Sequence, residues 1–90
     1  ALKGKIYPNP FDENLILELE GTQNEQTTIQ VFNLLGQKVA TLVNEFVEAG
    51  NYSSVWNGQD ALGREAASGV YILKLTTENE VISNKITLLR

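Results

Sequence analysis

Cysteine, histidine and methionine are all absent from the 90 residues. Without cysteine there is neither a disulfide nor a thiolate metal site. That gap assigns no compartment, because a reducing cytosol and a disulfide-free exported module both fit it. Without histidine the chain lacks the commonest general base near neutral pH and the commonest metal ligand. Positive charge is scarce as well: 7 Lys and Arg stand against 11 Asp and Glu, giving a formal charge of −4 and a pI of about 4.6. No basic stripe is available to grip a phosphate backbone, so nucleic acid is not an expected partner. The acids are scattered and form no acidic tail. No apolar run approaches the roughly 20 residues that span a bilayer, so membrane insertion is not expected. No cleavable leader opens the chain, and the signal peptide of an exported parent protein is expected upstream of Ala1.

These absences narrow the chemistry. Ser53, Ser54, Ser68 and Ser83 have no histidine partner, and no G-x-S-x-G elbow occurs. Asp12 and Glu13 are adjacent, and neighbours on a strand point to opposite faces, whereas a glycosidase needs two carboxylates across a large cleft. The chain is therefore not expected to be an enzyme, and no catalytic, cofactor or metal residue is assigned.

What is present is period-2 alternation. Leu15, Leu17 and Leu19 alternate with Ile16, Glu18 and Glu20. Residues 27–32 repeat the pattern with Ile29 and Val31 on one face. Residues 39–43 form a third β-rich run. Residues 51–57 place Tyr52, Ser54 and Trp56 together, and residues 70–76 do so with Tyr71, Leu73 and Leu75. Residues 81–89 align Ile82, Ile86 and Leu88, with Asn84 between them. A short strand at residues 3–7 makes seven. Pro8-Asn9-Pro10 stops the first strand, since proline donates nothing to a ladder. Asn33-Leu34-Leu35-Gly36 reads as a tight hairpin turn with Gly36 at positive φ. Asp60-Ala61-Leu62-Gly63 reads as an Asx-initiated turn. Residues 44–49 could form a helical turn, too short to alter the class. Hydrophobic residues are 42% of the chain, enough for one small core. The expected fold is all-β: a single domain over residues 1–90, an immunoglobulin-like antiparallel β-sandwich of about seven strands.

Two clusters admit a functional reading beside a structural one. Trp56 with Tyr52 and Tyr71 could stack on a sugar ring, but a small sandwich needs such residues in its core. Asn57, Asp60 and Glu65 could contribute to a calcium site, but they lack the D-x-[DN]-x-[DN]-G pattern, and turn capping accounts for Asp60. The last strand also has two readings. It completes a sheet, or it is an address whose edge pairs with a receptor while the exposed Lys85 and Arg90 fix register and sign.

In order, the chain shows Tyr7-Pro8-Asn9-Pro10-Phe11, then residues 31–39 (VFNLLGQKV), then Ala49-Gly50-Asn51-Tyr52. There follow Trp56-Asn57-Gly58, Asp60, Gly63, Ser68-Gly69-Val70-Tyr71 and finally Lys85-Ile86-Thr87-Leu88-Leu89-Arg90. This order and spacing resembles the type A C-terminal sorting domain of the type IX secretion system, over nearly the whole chain. The resemblance implies an immunoglobulin-like sandwich at the end of an exported cargo protein, directing it across the outer membrane to the cell surface. It implies passage through the periplasm and a final place at the surface or outside the cell. The implied partners are the outer-membrane machinery of type IX secretion, a sortase-like peptidase, and the N-terminal cargo domain of the same chain. The implied recognition residues are Gly69, Val70 and Tyr71 with Lys85, Ile86, Thr87, Leu88, Leu89 and Arg90. The chain departs from the family in one place: Asn84-Lys85 stands where a lysine pair is common. The middle portion also resembles the immunoglobulin-like domain of flagellar hook-capping scaffolds. A third alternative is a carbohydrate-binding accessory module of a secreted hydrolase. The opening motif and the domain's end at Arg90 favour sorting.

Overall fold

A strand facing a core buries every second residue, and Leu15, Leu17, Ile29, Val31, Leu73, Leu75, Ile86 and Leu88 are all buried. The computed structural model describes residues 2–21 and 23–90. Its strands are β1 (Leu2–Tyr7), β2 (Leu15–Gly21), β3 (Glu25–Asn33), β4 (Lys38–Val47), β5 (Gly50–Trp56), β6 (Gly69–Thr76) and β7 (Val81–Leu88). None of the described residues is helical.

The strands form two antiparallel sheets, ordered β1-β2-β5 and β4-β3-β6-β7. The fourth strand stays beside the third instead of crossing to the first sheet. β2 and β5 occupy the places of B and E in an immunoglobulin sandwich, and β3, β6 and β7 those of C, F and G. The predicted β-sandwich of seven strands is thus the observed one.

β4 differs from its expectation. It runs to Val47, and residues 44–47 pair with residues 25–28 of β3, where the sequence allowed a helical turn. The cause is the length of β3, which begins at Glu25 and offers a paired edge through the whole segment. Asn24 then accepts the Ala49 amide at 2.7 Å and ends the strand. The β3–β4 register slips between Ile29 and Gln30 and between Val31 and Phe32, leaving Leu42 and Val39 as extra residues in β4. The first slip explains why the buried positions, Ala40 and Val43, lie three residues apart instead of two.

Trp56 is at the centre of the core, 1% exposed. Its ring lies 5.5 Å from Phe11 on one side and 5.5 Å from Tyr71 on the other, the latter edge-on at 74°. Such tilted pairs add roughly 0.5–1.5 kcal/mol beyond burial. Its indole N–H donates to the Gln59 carbonyl at 2.9 Å, so the buried polar atom is satisfied. Tyr71, also buried, donates to the Ala67 carbonyl at 2.6 Å, an arrangement like the tyrosine corner of immunoglobulin domains. Neither ring is free to stack on a sugar.

Two turns share one design. Asn33 Oδ1 accepts the amides of Leu35 and Gln37, both at 3.0 Å. Asp60 Oδ1 accepts those of Leu62 and Arg64 at 2.9 and 3.0 Å. In both, the backbone closes from glycine N–H to the first carbonyl, Gly36 to Asn33 and Gly63 to Asp60. Gly36 and Gly63 take φ of 82° and 81°, where a side chain would be strained. NLLGQ and DALGR are therefore the same loop built twice. The Asp60 copy adds an ion pair to Arg64 Nε at 3.0 Å. Hydrogen bonds from the Arg64 backbone, with those from Leu62 and the Arg64 side chain, hold the Asp60 carboxyl below the usual carboxylate range against the opposing effect of desolvation. Its carboxylate is thus spent on the turn, as the Asx reading expects.

Two outcomes follow. Trp56→Ala should destabilise the domain by about 3–5 kcal/mol. A variant that kept its thermal midpoint would show that the aromatic trio is not the core. The second concerns acid. Asp60 is held below its ordinary range, so its contribution is complete above that range and is lost as pH falls through the lowered value. The Leu62 and Arg64 amides should therefore lose exchange protection in acid, while those of Leu35 and Gln37, held by an amide that does not titrate, keep theirs. Simultaneous loss in both turns would assign the change to global unfolding and not to Asp60.

Candidate functional site

Antiparallel pairing brings the ends of β1, β3, β5 and β7 and the starts of β2, β4 and β6 to one end of the sandwich. Nearly every motif of the sequence gathers there: residues 7–11, 33–37, 56–64 and 68–71, and the close of β7. They are tied together by hydrogen bonds. Ala61 N–H donates to Val39 O at 3.1 Å and Ala66 N–H to Gly58 O at 2.8 Å, which fastens the long β5–β6 loop to β4 and to itself.

β7 is an edge strand, and an edge leaves alternate peptide groups unpaired. Here the odd-numbered residues from Lys85 onward face outward, and residues 9–11 cover them. The Asn9 side chain acts as a short piece of strand. Its amide NH₂ donates to Lys85 O at 3.2 Å and its oxygen accepts Thr87 N–H at 3.0 Å. Phe11 then donates its N–H to Thr87 O at 3.0 Å and accepts Leu89 N–H at 2.8 Å. Phe11 pairs with Leu88 in parallel, and its ring, 2% exposed, fills the core beside Trp56. Both X–Pro bonds around Asn9 are cis. The edge that a receptor was expected to pair with is thus already paired over residues 85–89. The outward sides of Val81 and Ser83 lie on the sheet edge beyond that clamp.

Arg90 reaches solvent as expected, but its guanidinium is also paired within the fold. Its side chain is 26% exposed. Nε donates to Ala66 O at 2.8 Å, Nη2 to Gly58 O at 2.6 Å, and Nη1 pairs with Glu65 Oε2 at 2.7 Å. The Arg90 N–H donates to Ser68 Oγ at 2.8 Å. Pairing with a loop distant in sequence is the physical reason it is not free.

The expected recognition residues therefore divide. Tyr71, Ile86 and Leu88 are core. Gly69, Val70 and Thr87 are half-buried, and Lys85, Leu89 and Arg90 are exposed. Sequence reasoning missed Asn9 and Phe11 as the edge clamp, and Gly58, Glu65, Ala66 and Ser68 as the partners of Arg90. It also passed over the turn tips. Leu35 is 85% exposed and Leu62 76%, with Leu34 and Leu89 also prominent. Turn tips are ordinarily polar or glycine-rich, so leucines held out on twin rigid turns are the most unusual surface of the molecule. The signal was legible in NLLGQ and DALGR, whose leucines fall at turn positions and not on a strand face.

A groove of about 360 Å³ opens between β1 and β7 over Leu17, Leu73, Leu75 and Ile86. Among the described residues, Lys85 is the one charged residue lining it, which offers no pair of titratable groups for acid–base work. Among the described residues, no three acidic side chains lie together as metal ligands.

Residues 5–88 match the family described as the secretion system C-terminal sorting domain. No curated protein sequence matches the chain. Among solved structures, it is similar to part of dimeric latent PorU from Porphyromonas gingivalis, with a TM-score of 0.78, 11% identity, and coverage of 99% of this chain and 9% of that one. It is also similar to part of PorZ from the same organism, described as an essential surface component of the type-IX secretion system. There the TM-score is 0.64, identity 20%, and coverage 97% of this chain and 11% of the other. At these identities the likeness is one of fold. Matched through residues 5–88, and carrying the family's motifs at one end of the expected sandwich, the chain belongs to the secretion system C-terminal sorting domains, the type IX family to which its sequence points.

Proposed function

We propose that this end of the sandwich is the face through which the type IX outer-membrane machinery receives an exported cargo protein. The carrying observation is that the opening motif, both turns, the SGVY segment and the end of β7 form one hydrogen-bonded unit rimmed by exposed leucines. In this reading the exposed leucines of that end supply the apolar part of the interaction site. Lys85, Leu89 and Arg90 are the members of the expected recognition set that reach solvent, and of these the Arg90 side chain is held by the β5–β6 loop. Gly69, Val70, Thr87 and Arg90 position Lys85 and Leu89, and Tyr71, Ile86 and Leu88 act from the core. The domain itself performs no catalysis. A sortase-like peptidase acts between it and its cargo domain, after passage through the periplasm and on the way to the cell surface. The likeness to PorZ, described as a component of that system, supports the type IX reading. The carbohydrate-module alternative loses its motive, because Trp56 and Tyr71 are buried. The hook-cap scaffold loses its motive to the family match.

The test is a fusion of residues 1–90 to a periplasm-directed reporter in a host with type IX secretion. The reporter should reach the surface. Removing residues 88–90 is a blunt probe, because Leu88 is 0% exposed. Leu35→Glu with Leu62→Glu is cleaner: exposed substitutions of this kind change stability by about 0.5 kcal/mol or less. Export should fall while the thermal midpoint holds. Full export of the folded double variant would remove the leucine rim from the mechanism.

A further inference from the structure

We propose that the β5–β6 loop is a guanidinium receptor whose resident ligand is Arg90, and that the sorting function requires arginine there, not simply a positive charge. This rests on the sorting reading for its function but not for its chemistry.

The receptor has a defined shape. A guanidinium is planar and carries its N–H donors in a fixed fork. Each of its three nitrogens meets a different acceptor: Ala66 O at Nε, Gly58 O at Nη2, and the Glu65 carboxylate at Nη1. The two carbonyls are held by elements that do not depend on Arg90. Ala66 N–H bonds back to Gly58 O, Gln59 O is fixed by the Trp56 indole, and Ala67 O by the Tyr71 hydroxyl. The site is also shaped by an absence. A Cβ on Gly58 would lie 2.6 Å from Nη2 and 3.7 Å from a methyl of Leu88, so a side chain there would push the guanidinium from its present seat. Gly58 has φ +74°, a conformation that independently favours glycine.

Lysine cannot reproduce this. Its ammonium is a compact point charge whose donors do not lie in one plane, so it reaches one or two of three divergent acceptors. The consequence lies on the strand. Arg90 N–H is held by Ser68 Oγ and Leu89 N–H by Phe11 O. Leu89 is thus pinned on both sides and is 54% exposed. The receptor fixes the far side of that clamp and so presents Leu89 at the rim.

The experiment uses the full chain, isotope-labelled, as wild type, Arg90→Ala and Arg90→Lys. The probes are the amides of Gln59 and Ala67, whose nitrogens are bonded to the receptor carbonyl carbons. Arg90→Ala should shift both resonances, and millimolar N-ethylguanidinium should return them saturably toward wild type. Ethylammonium should not, and Arg90→Lys should resemble Arg90→Ala. In the reporter fusion, Arg90→Lys should lower export by roughly tenfold, as loss of charge-assisted hydrogen bonds predicts. Arg90→Lys spectra indistinguishable from wild type, or an equal response to both cations, would overturn the receptor. Wild-type export matched by Arg90→Lys export would overturn its role in sorting while leaving the sorting reading intact. A wild-type fusion that is not exported would instead sink the sorting reading, and the titration would still decide the receptor.

Discussion

The row of peptide groups on the outer side of β7 is the constraint that organises this end of the molecule. An edge strand exposes donors and acceptors that invite another chain. Asn9 and Phe11 occupy that row from Lys85 to Leu89. Asparagine suits the task because its side-chain amide carries the same N–H and C=O pair as a peptide group. Phe11 completes it with backbone, and its ring then has nowhere to go but inward, against Trp56. One short segment thus closes a sheet edge and fills the core. The first loop and the last strand, far apart in sequence, become a single unit.

Trp56 carries that coupling further. It ends β5, touches Phe11 and Tyr71, and holds Gln59 O through its indole. The β5–β6 loop that follows has no strand of its own, so its order depends on such contacts and on the Asp60 turn. Longer irregular loops in small domains are ordinarily mobile or functional. This one is rigid at several points, which is what a loop needs if it is to hold a guanidinium.

The strands were legible because each side chain on a pleated strand reports its own face. Leu15, Leu17, Ile29, Val31, Leu73 and Leu75 needed no partner to be read as buried. β4 was less legible because its bulges break the period, and because its extension to Val47 is decided by the length of β3, not by its own residues. Trp56 was legible from size and alternation, and Asp60 from turn chemistry. The partners of Arg90 were missed for a physical reason: nothing in a charged residue beyond a strand tells which loop folds against it. Its acceptors are mostly backbone carbonyls, which every residue possesses and no motif marks. Asn9 was hidden differently. Its flanking prolines announce a strand stop, and a stop says nothing about which edge the chain turns to cover.

A domain recognised in its native form must be read without being unfolded. The arrangement here suits that. The outer edge of β7 is closed over residues 85–89 by Asn9 and Phe11, and the Arg90 guanidinium is paired within the fold. What is left outward is side-chain chemistry: leucines on two turns of one design, Leu89 and Lys85. Turns closed by hydrogen bonds have little conformational freedom left to lose on docking, so apolar contact at their tips is converted into affinity with a small ordering cost. Recognition by shape and apolar surface, with the end of β7 covered, also separates a receptor from accidental strand partners there. The same hydrogen bonds that make the domain stable therefore make it specific.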